Sequence, residues 1–474
     1  MPYVDVSRDD DFVSIWYVTN SPTGHASSFD PDKPTILLLH PFFLDTSWLD
    51  AQFGDPRLSD EYNLIAFDWR AAGKTISRFN GKHDAWTDAV DILLVCYALC
   101  LPPVHVWASE TISANAAIRF AILFPELCLS LTMLSVPSPT ELEVFFHTCD
   151  ELLHMWAHAG DLDTLEFCLM QCVLYIVGPD VDPDLADELI GYFEMHYPPF
   201  KSAKLAQMGN VLMNREPLSP KEYAAVTVPC LLIHGEKNQI HPMECSQNMA
   251  ADLHNVKDGC KLFIIKGGQG YISIVPQWAS ISNRVFAKFL SRLPRARSEL
   301  RVHEEPLNDR LRRALHFLAE LANNPSLIEN SKEILSSMSF SRASVTVRKS
   351  QTETFRASSL RQRGALSPLD TDGRPIRKYS ERLHDHWFKG DRFGMSYAES
   401  HKSSDDEAND GEHVGAPTID GRIEAASREV MQESALQRAV FNPGTYERID
   451  QLVVKSNLAR VSTTIPLGKI LARS

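Results

Sequence analysis

The chain lacks most of the features that would take it out of the ordinary globular classes. It has no Cys-x-x-Cys pair: its nine cysteines are scattered, most of them in apolar surroundings such as Cys96, Cys100, Cys128, Cys168 and Cys172. An odd count without a framework reads as free thiols in a reducing compartment. With no ligand spacing for zinc, neither a metal nor a cofactor is expected. Basic residues are in deficit, 47 Lys+Arg against 61 Asp+Glu, for a net charge of −14. Such a chain repels phosphate backbones, which argues against nucleic-acid binding. No window approaches the roughly 18 uninterrupted apolar residues of a membrane span. The opening Met1-Pro2-Tyr3 leads into an Asp-rich stretch instead of a basic region and an apolar run, and the closing Ala472-Arg473-Ser474 is no prenylation signal. These absences give the expectation of a cytoplasmic protein.

What is present is ample core material, with 44% hydrophobic and 9% aromatic residues over 474 positions, enough for two or three domains. Strand and helix signals alternate through the first half. Val13 to Thr19, Thr35 to Leu39, Leu64 to Phe67, Val104 to Ala108 and Leu129 to Leu134 read as strands, with helical periodicity at Asp88 to Leu99 and Ala114 to Phe124. Strands apolar on both faces and separated by helices predict an α/β fold whose mostly parallel sheet carries helices on both sides. Residues 140–218 turn helical and read as an inserted cap. Strands resume at Cys230 to Ile233 and Lys261 to Ile265, and a helix from Ala279 to Leu293 closes the core before Pro294. The domain reading is therefore a core of 1–139 and 219–295, a helical cap of 140–218, and a C-terminal extension of 300–474. In the extension Leu307 to Leu321 and Leu327 to Met338 suggest helices. Residues 339–375 and 400–420 are too polar to offset their ordering entropy and read as largely disordered. Islands at His384 to Tyr397 and Glu424 to Leu458 lie between, and His384 to Phe388 is a candidate docking segment.

Three ordered landmarks carry a resemblance to the α/β-hydrolase fold superfamily over about the first 295 residues. Leu38-Leu39-His40-Pro41-Phe42-Phe43 resembles its strand and His-Gly turn, with Pro41 in the glycine place. Phe67-Asp68-Trp69-Arg70-Ala71-Ala72-Gly73-Lys74-Thr75 resembles its Asp-x-Arg-Gly-x-Gly turn, which shapes a loop and does no chemistry. Ser109-Glu110-Thr111-Ile112-Ser113 stands where the family has the Gly-x-Ser-x-Gly nucleophile elbow. Thr111 in the central place puts the small Ser109 and Ser113 at the two crowded positions. Counting forward from the strand favours Glu110 instead.

The resemblance implies a catalytic triad, and this chain fills its three slots unusually. The elbow gives Thr111, the acid slot in His234-Gly235-Glu236-Lys237-Asn238 gives Asn238, and the histidine slot in Gly267-Gly268-Gln269-Gly270-Tyr271 gives Gln269. A hydroxyl needs a base to attack, and neither amide accepts protons at useful pH. Glu110 and His241 are the possible substitutes as nucleophile and base, with Glu141 and Glu143 as alternative acids. The resemblance makes the amides of Phe42 and Ile112 oxyanion donors and gives His40 a supporting role in its loop. Two functions follow. With no imidazole opposite the elbow hydroxyl, the degenerate triad would be weak or inactive, and the protein would bind a small lipophilic ligand or act as a scaffold, with a protein partner reached through the tail. Alternatively, Thr111 or Glu110 with His241 forms a rearranged site that hydrolyses small ester-like substrates.

Overall fold

The computed structural model describes residues 2–9, 11–141, 143–329, 333–362 and 364–383. Residues up to His147 and Ala203–Leu360 form one compact unit, and Thr148–Ser202 with residues 361–383 belong to a second.

Among the described residues the first unit has nine strands: β1 (Tyr3–Asp5), β2 (Val13–Thr19), β3 (Thr35–Leu39), β4 (Asn63–Phe67), β5 (Ile76–Ser77), β6 (Val104–Ala108), β7 (Cys128–Leu134), β8 (Cys230–Gly235) and β9 (Lys261–Ile265). Their order is β1-β2-β4-β3-β6-β7-β8-β9, with β5 paired to β2. β2 runs antiparallel to β1, β4 and β5, and the remaining pairs are parallel. The sequence accounts for this. β3, β4 and β6 are buried at every position, as strands covered on both faces must be. Alternation divides them between two core layers: Leu37, Leu39 and Val106 join one, and Ile36, Leu38 and Trp107 the other. The first layer packs on the helices Ala85–Ala98 and Ile112–Leu123, the second on Pro276–Leu290, where Phe286 meets Trp107 with ring centroids 4.9 Å apart. Each such side chain contributes about 1.5–3 kcal/mol by leaving water. The strand order reverses between β3 and β6, which opens a crevice at their carboxyl ends.

Polar contacts fix the loops near that edge. The Asp68 carboxylate accepts the amides of Thr46 at 2.9 Å and Lys74 at 2.7 Å. Gly73 has φ +43°, and a Cβ there would lie 2.1 Å from Asp68 Oδ2, so only glycine fits. Arg70 is buried between Asp11 and Asp91, with N–O distances of 2.8 and 2.5 Å.

In the extension the helix Leu307–Leu321 forms as expected, and two other segments depart from the sequence reading. Residues 339–375 were expected to be disordered, yet Val345–Arg361 is a helix. Asp84 Oδ2 accepts the amides of Arg342 at 2.7 Å and Ala343 at 3.2 Å, while the Arg342 guanidinium pairs with Glu216 and Glu222. Charge anchoring adds to the burial of Val347 and Phe355, and composition alone registers neither. The helix expected over Leu327 to Met338 is instead a short helix, Ser326–Glu329, and a 3-10 turn, Ser337–Phe340. The expectations for His384 to Tyr397, 400–420 and Glu424 to Leu458 lie outside the described residues. No helix among the described residues is long and apolar enough to cross a membrane.

Candidate active site

The site is assembled from the turns that follow β3, β6, β8 and β9. After β6 the chain makes a sharp turn into the helix Ile112–Leu123, and Thr111 sits in that turn with φ 52° and ψ −107°. Positive φ is a genuine outlier for a β-branched residue and costs on the order of 1–3 kcal/mol. The surroundings enforce it. The Ser109 amide donates to Leu39 O at 3.0 Å, and the Ser113 hydroxyl donates to His40 O. The Trp69 indole N–H reaches both His40 O, at 3.3 Å, and Ser113 Oγ, at 3.1 Å. The His40 ring accepts the Trp69 amide on Nε2 at 3.1 Å and has Pro41 O 2.9 Å from Nδ1. These partners assign the tautomer with the proton on Nδ1, so His40 ties the β3 turn to the Asp68 turn.

Thr111 Oγ1 lies 3.2 Å from His241 Nε2. This overturns the premise that no imidazole stands opposite the elbow hydroxyl. Asn238, three residues before His241, explains the position. Its Oδ1 accepts the amides of Ile240 at 3.1 Å and His241 at 2.9 Å, and its Nδ2 donates to Gly270 O at 3.3 Å. This is an Asx turn: Asn238 folds the backbone so that the imidazole turns inward. Burial holds His241 well below its usual pKa, and the charge of Arg215 acts in the same direction. The ring is therefore neutral at physiological pH and offers an unprotonated nitrogen.

The turn after β9 contributes a different group. Gln269 is half-buried, whereas Tyr271, two residues later, is buried with its hydroxyl 3.4 Å from Thr111 Oγ1. The sequence reading missed Tyr271, because the slot count stops at Gln269. The two turns touch: a Cβ on Gly235 would lie 2.6 Å from Gly268 O, and that same carbonyl accepts the Lys237 amide at 2.8 Å.

The carboxylates are engaged elsewhere. Glu110, fully buried, accepts the Ser273 amide at 2.9 Å and the Ser273 hydroxyl at 2.6 Å. Burial raises its pKa to about 8 against the lowering effect of those bonds. Glu141 is not solvated; it forms a buried ion pair with Arg215 at 2.8 Å. The side chain of Glu143 lies outside the described residues. Phe42 is buried, with its ring 3.9 Å from that of Phe43, centroid to centroid. Ile112 is the first residue of its helix, where a backbone amide has no acceptor within the helix. Among the described residues no group of three or more His, Cys, Asp or Glu could hold a metal ion.

A parallel sheet entered through an antiparallel β2, with a strained strand-to-helix elbow after its central strand, decides the architecture. This is the α/β-hydrolase fold. In sequence, no protein-family model and no curated protein matches the chain. Solved structures similar to it include a thermophilic esterase from Thermogutta terrifontis with malate bound, at 15% identity and TM-score 0.49, covering 62% of this chain and 99% of that one. A bromoperoxidase from Bacillus anthracis gives 15% identity and TM-score 0.48 over 61% and 99% of the two chains. An enol-lactonase from Burkholderia xenovorans gives 13% identity and TM-score 0.47 over 60% and 100%. Likeness at this level concerns the fold and carries nothing about activity.

Proposed function

We propose that this α/β-hydrolase-fold protein is a slow hydrolase of small acyl esters in which Thr111 is the nucleophile and His241 the base. The observation that carries this reading is the 3.2 Å contact between Thr111 Oγ1 and His241 Nε2 at a strained elbow. A positioned imidazole removes the objection that the hydroxyl has no proton acceptor. The amides of Phe42 and Ile112 supply the oxyanion donors in this proposal. Slowness follows from the environment. The base is weakened by burial and by the Arg215 charge, and Glu110 is bonded to Ser273.

The same weakening favours a second reading, in which a small lipophilic molecule binds without turnover. In that case the protein acts as a binder or scaffold, with its tail available to a protein partner. A panel of short acyl esters and epoxides separates the two. Purified protein should turn over at least one ester, and Thr111→Ala should abolish that turnover. Wild-type rates equal to those of Thr111→Ala across the panel would leave only the binding reading.

A further inference from the structure

The hydrogen-bonding capacity of Thr111 leads beyond the dyad. A hydroxyl has one proton to give and two lone pairs to receive. If the proton points to His241 Nε2, a lone pair remains available, and the Tyr271 hydroxyl lies 3.4 Å from the same oxygen. That distance is long for O–H···O, but catalytic hydrogen bonds often tighten only once substrate is bound. Tyr271 is 2% exposed and belongs to a braced turn. Two residues later, Ser273 gives both its amide and its hydroxyl to Glu110, the residue preceding Thr111. The phenol and the elbow are thus held by one short network.

We propose that Tyr271 is a further catalytic residue, whose hydroxyl donates to Thr111 Oγ1 and stabilises the negative charge that develops there. The inference rests on the Thr111–His241 reading and deepens it. In acylation, Thr111 Oγ1 forms a bond to the ester carbonyl carbon while its proton passes to His241 Nε2. The tetrahedral intermediate then expels the alkoxide, which takes that proton. In deacylation, water attacks and gives its proton to His241, and Thr111 Oγ1 leaves and recovers it. Thr111 Oγ1 carries partial negative charge in both steps. A weakened base leaves more of the barrier in forming that anion, so a fixed donor on the same oxygen lowers both barriers without itself being consumed. Tyr271 undergoes no net proton transfer.

The test uses the full chain, p-nitrophenyl acetate, and the variants Tyr271→Phe and Thr111→Ala. Tyr271→Phe should lower kcat roughly 10- to 100-fold, on the scale of losing one oxyanion donor, with KM changed less than about threefold. A Tyr271→Phe kcat within twofold of wild type, with Thr111→Ala inactive, overturns the Tyr271 assignment and leaves the dyad standing. A wild type no faster than Thr111→Ala overturns both. Should Tyr271→Phe fold poorly, protein made with 3,5-difluorotyrosine supplies a second measurement, since its phenols are more acidic. The basic limb of the kcat–pH profile should then move to lower pH, and an unmoved limb overturns the assignment.

Discussion

The turns after β8 and after β9 occupy equivalent places at the edge of one sheet, yet they divide their work against expectation. The resemblance assigns an acid to the first and a base to the second. In the structure the first turn delivers an imidazole, His241, and the second a phenol, Tyr271, both to Thr111 Oγ1. The slot residues themselves do not approach the hydroxyl in this way: Asn238 folds backbone, and Gln269 is half-buried outside the pair of contacts to Thr111. What is preserved is the convergence of two loops on one oxygen, and a shift of two or three residues along a loop is enough to exchange the chemistry.

The sharpest way to break this comparison is to remove one residue from each turn. His241→Ala should lower Thr111-dependent ester turnover by on the order of 10³-fold or more, since losing the base removes the only route for the hydroxyl proton in this account. Gln269→Ala should stay within about threefold of wild type. Equal losses in the two variants would restore the slot assignment and refute the exchange.

A smaller effect sharpens the link between the second turn and the elbow. Glu110 has its pKa raised to about 8 by burial, against the ordinary carboxylate value of 4.5. The folded state therefore holds a proton that the unfolded state releases. That contribution to stability is complete below about pH 4.5 and is lost as pH rises through about 8. Glu110→Gln keeps a carbonyl for the Ser273 amide but has no such proton, so its stability should fall less steeply between pH 5 and 8 by chemical denaturation. Some slope remains in the variant, because burial also raises Glu194, in the second unit, to about 8. Identical slopes for variant and wild type would mean that Glu110 is not held neutral against Ser273.

The fold was legible because its signals are local and repeated. The runs Thr35 to Leu39 and Val104 to Ala108 leave little room for anything but doubly covered strands, and Gly73 marks a turn that only glycine permits. The short edge strands Tyr3–Asp5 and Ile76–Ser77 were not legible, since two or three residues carry no period. The helix Val345–Arg361 escaped because Arg342 anchors the segment to Asp84, Glu216 and Glu222, more than a hundred residues away in sequence. At the site, the elbow was readable from the small Ser109 and Ser113, and His241 could be named as a substitute. Its approach to Thr111 could not be read from spacing. It depends on an Asx turn at Asn238, and the Asn-x-x-His-Pro pattern was the one available signal for that turn. Tyr271 gave no signal, because its role depends on how Gly270, with φ +47°, redirects the chain.

The central claim is that the Thr111 hydroxyl is activated by His241, and active-site labelling tests it most directly. Full-length protein treated with a fluorophosphonate should gain one adduct by intact mass, mapped to Thr111 by peptide sequencing and absent from His241→Ala. No adduct under conditions that label a serine esterase control, or an adduct on another residue such as Ser109, would contradict the account.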